Sequence, residues 1–207
     1  MYSYEKKYLD LGHQYIAGCD EVGRGPLAGP VVCAAVILDP NVVIEGLNDS
    51  KKLTEKKRMM LDVEIKQKAL SYHIEYIFPP EIDKINIYQA SKKGMIDAIK
   101  KLSLQPSFVL SDAMPLEGLG IKYESIIKGD SKSATIAAAS IIAKVSRDQY
   151  MVKLSEQYPK YGFEKHKGYP TKQHLDALQK YGILEIHRKT YKPVRDIIHK
   201  QISLFEE

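Results

Sequence analysis

Two apolar segments near the N-terminus, at residues 14–19 and 30–38, limit the folds that are open to this chain. Both are predicted strands, and the second is rich in valine, isoleucine and alanine, as in a buried strand. The segment that joins them, residues 20–29, contains three glycines and one proline, which indicates a turn. The chain is therefore predicted to begin with two strands joined by a tight connection.

Helical and extended patterns alternate through the rest of the sequence. Helices are predicted at residues 54–70, 86–102, 134–156 and 172–180, and further strands at residues 72–78, 107–111 and 121–127. We expect the small side chains at the start of the third helix to let it lie close to a sheet or to a neighbouring helix. A loop is predicted around Pro193, and a short tail begins at Lys200.

This order of elements predicts an α/β fold, in which a mixed sheet is flanked by helices. A chain of 207 residues usually forms one domain and at most two. We predict a single domain at residues 1–200, whose small helical C-terminal region starts at about residue 157, followed by a tail at residues 201–207. No pairing segment is evident, so we expect a monomer.

The composition bears on location and partners. The net charge of +5 fits a polyanionic partner, although many enzymes have as much charge. The first eight residues lack the apolar stretch of a secretory signal, and no apolar run approaches the roughly 20 residues that span a bilayer. Cys19 and Cys33 lie in apolar segments, so we predict that both are reduced. These features predict a cytoplasmic protein without membrane contact.

Acidic residues stand where three predicted strands finish, at Asp20, Asp112 and Asp130. Because the carboxyl ends of neighbouring parallel strands meet at one edge of a sheet, the three carboxylates are predicted to converge. Crowded carboxylates repel one another unless they take up protons or bind a cation. Ligand sets made of oxygen alone favour Mg²⁺ or Mn²⁺. The pattern therefore predicts a divalent metal site.

Glu21 would be a fourth ligand of this site. Successive strand residues point to opposite faces, so Asp20 and Glu21 can share a site only if the strand ends between them. Gly23 and Gly25 are compatible with such a break. The alternative is that each aspartate is only a turn former or a helix cap, as Asp130 could be for the helix that follows it. Three aspartates together, beside a glycine-rich loop, favour the metal site.

The loop at residues 23–28 has the G-x-G-x-x-A spacing of a dinucleotide-binding turn. That motif also requires a helix to begin at the loop, whereas a valine-rich strand follows here, which disfavours dinucleotide binding. Gly23 and Gly25 leave backbone groups exposed, and Arg24 adds a guanidinium, a combination suited to a sugar hydroxyl or a phosphate. A plain hairpin connection is the alternative, although a mere turn does not need Arg24.

Basic and aromatic residues are mixed in the last third of the chain. Residues 165–170 and 189–192 combine lysines with a tyrosine, so that cations could meet phosphates while a ring stacks on a base or sugar. A solvated surface is the alternative for either stretch. The six histidines do not have the spacing of a zinc site, and the sequence has no nucleophile-elbow serine motif.

Several motifs, in order, resemble the ribonuclease HII family, the type 2 ribonucleases H. They are Asp-Glu-Val-Gly-Arg-Gly-Pro-Leu-Ala-Gly-Pro at residues 20–30, Leu-Asn-Asp-Ser-Lys-Lys-Leu at 47–53, Lys-Gly-Asp at 128–130 with Ile-Ala-Ala-Ala-Ser-Ile-Ile-Ala-Lys-Val at 136–145, and His-Lys-Gly-Tyr at 166–169. The likeness extends from about residue 14 to residue 195. Ala113 stands where many relatives have glycine, which we expect to alter only the local turn. The additional C-terminal helices of longer relatives do not follow Pro193, and we expect this difference to affect affinity rather than activity.

The resemblance implies a ribonuclease H-like fold and a two-metal endoribonuclease. It assigns Asp20, Glu21, Asp112 and Asp130 as the catalytic residues that hold Mg²⁺ or Mn²⁺. One metal would activate a water for in-line attack, and the other would stabilise the leaving 3′ oxygen. The expected substrates are RNA–DNA hybrids and single ribonucleotides embedded in duplex DNA, and the products are a 5′-phosphate and a 3′-hydroxyl.

The resemblance also assigns substrate-binding residues. Gly23, Arg24 and Gly25 would read the 2′-hydroxyl that distinguishes RNA from DNA. Tyr169 would contact the sugar that follows the ribonucleotide. Two rival functions stay open on the residues alone: a ribonuclease H-fold DNase that uses the same carboxylates, and a non-catalytic nucleic-acid-binding protein in which the acids are structural.

The last residues resemble a short peptide by which bacterial proteins dock on the replication sliding clamp. The segment is Gln-Ile-Ser-Leu-Phe at residues 201–205, and Gln201, Leu204 and Phe205 would make the contacts. So short a match also arises by chance in a frayed terminus, which is the alternative.

Overall fold

The computed structural model describes the backbone of residues 1–203 and the side chains of residues 1–199. The strands are β1 Ile16–Val22, β2 Val31–Leu38, β3 Ala69–Ile77, β4 Phe108–Asp112 and β5 Tyr123–Ile126. The helices are α1 Ser3–Asp10, α2 Glu55–Lys68, α3 Pro79–Lys100, α4 Ala134–Gln157, α5 Phe163–His166, α6 Lys172–Tyr181 and α7 Lys192–Ser203. Within the described part of the chain, no helix is long and apolar enough to cross a membrane.

The chain forms two compact units, which are described separately. The first unit contains Met1–Val22, Val32–Tyr76 and Ser91–Ser146, and the second contains Gly23–Val31, Ile77–Ala90 and the chain from Arg147 onward. The prediction of one domain at residues 1–200, with a helical region from about residue 157, stays a prediction.

The first unit is built on a five-stranded sheet with the order β3-β2-β1-β4-β5. Strand β1 is antiparallel to β2 and parallel to β4, which in turn is parallel to β5. The predicted α/β fold with a mixed sheet is confirmed. Because β1, β4 and β5 run the same way, their carboxyl ends lie at one edge of the sheet, where the predicted acidic residues stand.

The first half of α4 packs closely on the sheet. Its buried alanines, including Ala134 and Ala138, belong to one core cluster with Val32 and Val36 of β2. A β-carbon placed on Gly18 of β1 would lie only 2.2 Å from the carbonyl carbon of Thr135, a distance that real side chains do not reach. The expectation that the small residues let this helix approach a sheet is confirmed, and Gly18 provides the matching space on the strand.

Helix α1 was not predicted from the sequence, and its main anchor is a distant one. The buried Glu5 carboxylate accepts hydrogen bonds at Oε1 from Ser133 Oγ (2.6 Å), Thr135 N (2.9 Å) and Thr135 Oγ1 (2.8 Å), at the start of α4. A carboxylate at a helix N-terminus satisfies free N–H groups and interacts favourably with the helix dipole. These contacts join residues about 130 positions apart, so no local pattern reveals them.

The C-terminal prediction was partly wrong. Pro193 was expected in a loop and Lys200 in a tail, but α7 begins at Lys192 and extends to Ser203. Proline fits the first turn of a helix because its missing N–H would have no intrahelical partner there. Val194 is fully buried in the core of the second unit, and this burial stabilises a helix that the sequence pattern did not indicate.

Helix α3 begins earlier than predicted. It starts at Pro79 and contains a break at Asn86, whose φ of 67° is not helical. The Asn86 side chain accepts a hydrogen bond from Gln89 N at 3.1 Å, as an N-cap does. The predicted start at residue 86 therefore coincides with the second of two helical segments.

Candidate metal centre and substrate-binding loop

Three of the predicted acidic residues meet at the carboxyl edge of the first unit's sheet. Asp20 is in β1, Asp112 is the last residue of β4, and Asp130 lies in the 3₁₀ turn Gly129–Ser131 after β5. One carboxylate oxygen from each lies within 4.8 Å of the others. Asp20 and Asp130 are each 5% exposed. Asp20 precedes the other two aspartates by about 90 to 110 residues in the chain. The parallel pairing of β1 with β4 and of β4 with β5 brings the three carboxylates to the same edge of the sheet.

Glu21 is not part of this group of three. A site shared by Asp20 and Glu21 was expected to require that β1 end between them. The strand instead continues to Val22. Regular alternation along a strand would direct the two side chains to opposite faces, yet the charge of Glu21 is near enough to raise the pKa of Asp20. The predicted break was wrong because the antiparallel pairing with β2 continues through Glu21 and Val22, opposite Cys33 and Val32.

Backbone and side-chain donors orient the carboxylates. Asp112 Oδ1 accepts a hydrogen bond from Gly129 N at 2.7 Å, and Asp20 Oδ1 accepts one from Glu21 N at 2.7 Å. A β-carbon on Gly129 would lie 2.6 Å from Ile136 Cδ1, so glycine allows this turn to approach Asp112. Ser140 of α4 also hydrogen-bonds Asp20.

The charges of the cluster oppose one another. Burial, followed by the charges of Glu21 and Asp112, raises the pKa of Asp20 well above its ordinary value of 3.8. Burial and the charge of Asp112 also raise the pKa of Asp130. A cation would relieve this repulsion, and hard oxygen ligands suit a divalent ion such as Mg²⁺ or Mn²⁺. The donor set thus fits the metal that the sequence predicted.

Lys51 is a cation beside the carboxylates that the sequence reasoning did not single out. Its Nζ lies 4.0 Å from Asp130 Oδ2. Burial lowers the pKa of Lys51, but the charges of Asp20, Asp49 and Asp130 outweigh burial, and the pKa is raised. The only available signal was its place in the motif at residues 47–53. It lines a cavity of about 440 Å³ together with Asp49, Lys52, Asp112, Ala113, Ile127, Lys128, Asp130 and Ser131.

Ala113, the departure noted in the sequence, follows the metal-site strand directly. Its φ is 52°, in the left-handed region that glycine adopts at lower cost than alanine. Its N–H donates to Ile126 O at 3.0 Å, which holds this conformation beside β5. The alanine therefore preserves the turn that a glycine would make.

Two buried arginines hold the predicted substrate-binding loop in the second unit. Arg188 donates from Nη2 to Gly23 O (2.6 Å) and Gly29 O (3.0 Å), and from Nη1 to Arg24 O (2.8 Å). Arg147 donates from Nε to Pro30 O (3.0 Å) and from Nη2 to Ala28 O (3.2 Å) in the same segment. Neither guanidinium is exposed to solvent. Burial, then the charge of Arg188, lowers the pKa of Arg147 to about 10.

The loop residues and Tyr169 lie together in this unit. Gly23 has a φ of 103°, and a β-carbon there would lie 2.2 Å from Arg147 Nε, so this position needs glycine for two reasons. A β-carbon on Gly25 would lie 3.6 Å from Tyr169 Cε1, an ordinary contact. Arg24 is exposed and Tyr169 is 41% exposed. Arg24, Gly25 and Tyr169 therefore present an open surface, whereas Gly23 is buried and its carbonyl is held by one of the two buried arginines.

Three buried histidines, His166, His174 and His187, lie next to the backbone of Tyr169. The sequence indicates only that the histidines lack the spacing of a zinc site. The rings of His166 and His174 stack with centroids 4.5 Å apart, and His174 Nε2 lies 3.1 Å from His187 Nε2. Burial lowers the pKa of His174 and of His187 to about 4 each. All three rings pack beside Phe163.

We expect acid to weaken the second unit through these rings. Because the folded-state pKa of His174 and His187 lies below the ordinary 6.5, the unfolded chain binds more protons between pH 6.5 and about 4. The contribution of each ring to the free energy of unfolding is thus complete above pH 6.5 and falls as the pH drops towards 4, by at most about 3.4 kcal/mol for each ring at 1.36 kcal/mol per pKa unit. Urea unfolding at several pH values measures this slope.

Asp20 and Asp130 have raised pKa values, so their protonation changes stability in the opposite direction as the pH falls. The variant His187→Phe is therefore the control that isolates the contribution of a histidine. The variant should lose less stability between pH 6.5 and 4.5 than the unsubstituted protein. Equal losses in the two proteins would show that the histidines do not contribute.

Comparison with known structures shows the class of the protein. The fold is similar to that of ribonuclease H2 from Pyrococcus horikoshii OT3, with a TM-score of 0.76 and 29% identity over 90% of this chain and 98% of that one. It is also similar to the Archaeoglobus fulgidus RNase HII solved in a PCNA:RNase HII complex, with a TM-score of 0.73 and 27% identity over 86% of this chain and 95% of that one. The sheet with its acidic edge is therefore that of a ribonuclease H-like nuclease.

The sequence comparisons identify the family. The ribonuclease HII family model matches residues 17–194. The ribonuclease HII of Bacillus cereus (strain AH820) is 56% identical over 200 residues, which are 97% of this chain and 77% of the relative. That of Bacillus cytotoxicus is 54% identical over 202 residues, 98% of this chain and 78% of the relative. The chain belongs to the ribonuclease HII family, which confirms the resemblance seen in its motifs.

Proposed function

We propose that this chain is a divalent-metal-dependent endoribonuclease that cleaves the RNA strand of RNA–DNA hybrids and DNA strands at single embedded ribonucleotides. The observation that supports this function most directly is the group of three carboxylates, within 4.8 Å of one another, at the sheet edge of a ribonuclease HII family member. Neither rival function accounts for both the crowded buried acids and the family membership.

Asp20, Asp112 and Asp130 would hold the metal, and Mg²⁺ or Mn²⁺ suits their oxygen atoms. Glu21 is proposed as a further ligand because its charge is near enough to raise the pKa of Asp20. Two bound ions would lower the pKa of the attacking water and offset the charge on the leaving 3′ oxygen, so that the products are a 5′-phosphate and a 3′-hydroxyl.

The chain's own groups prepare this chemistry. The hydrogen bond from Gly129 N fixes the Asp112 carboxylate, and the Ser140 hydroxyl holds that of Asp20. Fixed ligands need no reorganisation when charge develops in the transition state. Lys51, with its raised pKa, stays charged and can attract a substrate phosphate to the cavity beside Asp130.

Substrate selection is proposed for the second unit's surface. Gly23, Arg24 and Gly25 would read the 2′-hydroxyl, which is both a donor and an acceptor and is missing from DNA. The carbonyls of Gly23 and Arg24 are already bonded to Arg188, so the contact with the nucleotide would involve other backbone groups of the loop, beside the exposed Arg24. Tyr169 would pack on the sugar that follows the ribonucleotide.

The experiment is cleavage of a labelled DNA duplex that contains one ribonucleotide, with Mg²⁺, with Mn²⁺ or with EDTA. We expect metal-dependent cutting on the 5′ side of the ribonucleotide and no cutting of an all-DNA duplex. Equal cutting of the all-DNA duplex would favour a DNase and contradict the role of the Gly23–Gly25 loop. Tight binding without cleavage in either metal would favour a non-catalytic binding protein.

We further propose that the C-terminal tail docks on the replication sliding clamp. The Archaeoglobus fulgidus relative is described in complex with PCNA, which supports a clamp as partner. Leu204 and Phe205 lie outside the described residues, and so does the side chain of Gln201. The backbone of Gln201 belongs to the last turn of α7.

Deleting residues 201–207 should abolish clamp binding and leave cleavage of a single-ribonucleotide duplex unchanged. Surface plasmon resonance with a bacterial sliding clamp measures the first, and the cleavage assay measures the second. A full-length chain that does not bind the clamp would end this proposal without touching the catalytic one.

We also propose a cytoplasmic, monomeric enzyme. Both Cys19 and Cys33 are buried free thiols, and burial raises the pKa of each well above 9.0, which makes them unreactive. Sedimentation velocity at micromolar protein concentration tests the proposed monomeric state, and a mass corresponding to a dimer would contradict it.

A further inference from the structure

The buried histidines of the second unit have tautomers that their backbone neighbours determine. Leu184 N donates to His187 Nδ1 at 2.9 Å. An amide N–H can only donate, so His187 Nδ1 accepts, and the proton of the neutral ring is on Nε2. The longer approach of Leu184 O to the same nitrogen, 3.2 Å, cannot then be a hydrogen bond.

This assignment sets the direction of the next two hydrogen bonds. His187 Nε2 donates to His174 Nε2 at 3.1 Å, which leaves the His174 proton on Nδ1. His174 Nδ1 then donates to Tyr169 O at 3.0 Å. The pair His187 and His174 forms a relay from the backbone of Leu184 to the backbone of Tyr169, and its two rings are neutral throughout.

A second branch supports the same tyrosine from its other side. Gly168 N donates to His166 Nδ1 at 3.2 Å, so the proton of His166 is on Nε2 and is donated to Tyr161 O at 2.8 Å. The carbonyl of His166 accepts from Tyr169 N at 2.9 Å. Both backbone groups of Tyr169 are therefore held by this histidine cluster, while the residue is 41% exposed.

We propose that His174 and His187 are positioning residues that orient Tyr169 towards the substrate nucleotide. They do not touch the nucleotide themselves, since His174 and His187 are fully buried. They act by fixing the Tyr169 carbonyl, to which Thr171 N also donates at 2.8 Å, and hence the direction in which the phenol leaves the backbone. This inference rests on the proposed contact between Tyr169 and the sugar that follows the ribonucleotide.

The geometry explains why histidine, rather than an apolar residue, occupies these positions. Burying two imidazoles beside Phe163 costs desolvation unless each polar atom has a partner. Here every nitrogen of His174 and His187 has one, and the series of bonds has a single direction. An aliphatic side chain would fill the space but leave the Tyr169 carbonyl bonded to Thr171 alone.

Two amide substitutions at His174 separate this role from a merely structural one. Asparagine places its NH₂ where His174 has Nδ1, so His174→Asn keeps the bond to Tyr169 and loses the one to His187. Glutamine places its amide near the position of Nε2, so His174→Gln keeps the bond to His187 and loses the one to Tyr169. The two variants have the same type of side chain and the same count of lost hydrogen bonds.

We expect His174→Gln to lower kcat/KM on a single-ribonucleotide duplex by about 10- to 100-fold, which is the scale of a misplaced contact residue. His174→Asn should stay within about threefold of the unsubstituted protein. Thermal unfolding of both variants checks that they are folded at the assay temperature, and the exposed His199→Asn is the control for a histidine change elsewhere. Loss of activity in the asparagine variant but not in the glutamine variant would overturn the proposal.

A double-mutant cycle with Tyr169→Ala provides the second readout. If His174 acts through Tyr169, adding His174→Gln to Tyr169→Ala should cause no further loss of kcat/KM, because the group being oriented is gone. A full additional loss would show that His174 acts by another route. Failure of the unsubstituted protein to cut the duplex would contradict the proposed function instead, so the two failures are distinguishable.

Discussion

Replacing Asp112 with asparagine should lower cleavage of a single-ribonucleotide duplex by about a thousandfold or more. A metal contributes several kcal/mol to the transition state, and each 1.36 kcal/mol is tenfold in rate. Asparagine has nearly the same shape, and its Oδ1 can still accept from Gly129 N. The loss would therefore come from the missing charge and metal ligand and not from a disrupted turn.

The same substitution should stabilise the metal-free protein. The charge of Asp112 is one cause of the raised pKa values of Asp20 and Asp130, so its removal relieves repulsion at the sheet edge. A gain of about 1 kcal/mol would raise the melting temperature by about 2 to 4 °C for a chain of this size. The rise in melting temperature that Mn²⁺ or Mg²⁺ gives the unsubstituted protein should be smaller in the variant.

Cleavage kinetics and differential scanning fluorimetry, with and without metal, measure both effects. The control is Asp97→Asn, which removes a surface carboxylate that pairs with Lys93 on α3 and should change neither quantity much. An Asp112→Asn protein that keeps its activity and its response to metal would show that Asp112 is not a ligand.

Replacing Arg188 with methionine should lower the free energy of unfolding by about 3 to 5 kcal/mol. The guanidinium donates to the carbonyls of Gly23, Arg24 and Gly29. The Arg24 carbonyl keeps a second donor in the variant, the Tyr191 hydroxyl at 2.6 Å, so the loss falls mainly on Gly23 and Gly29, and an unsatisfied buried polar group costs about 1 to 3 kcal/mol. Methionine fills much of the space without donating. The cost is large because one side chain serves three acceptors of the same loop.

Loss of these bonds should also free the Gly23–Gly25 loop and weaken discrimination between RNA and DNA. Cleavage of the single-ribonucleotide duplex should fall more than cleavage of a long RNA–DNA hybrid, in which many registers can bind. Arg188→Lys should rescue little, because an ammonium group does not have the planar, forked donors of a guanidinium.

Urea unfolding gives the free energies, and Arg195→Met, at an exposed position of α7, is the matched control. A loss below about 1 kcal/mol for Arg188→Met would show that the loop carbonyls find other donors. Unchanged substrate preference in a folded variant would show that the loop does not depend on Arg188.

The candidate metal site shows how far local patterns extend. Asp20, Asp112 and Asp130 were predicted to converge because each stands where a predicted strand finishes and because parallel strands end at a common edge, and the topology brings one carboxylate oxygen of each within 4.8 Å of the others. The expected end of β1 between Asp20 and Glu21 was wrong, while the role of Glu21 as a ligand stays a prediction. The end of the strand is decided by pairing with β2, where Glu21 lies opposite Cys33.

The sequence alone determined the five strands, the helices α2, α3, α4 and α6, the α/β class, the family motifs and the acidic residues where the predicted strands finish. These features follow from side-chain periodicity and from short segments whose meaning is local. Tertiary structure alone decided the capping of α4 by Glu5, the helical conformation of the chain after Lys192, the tethering of the loop by Arg188 and the histidine relay behind Tyr169. Each of these depends on burial and on hydrogen bonds between positions far apart in the chain, up to 165 residues for Arg188 and Gly23, and such contacts leave no periodic signal in the sequence.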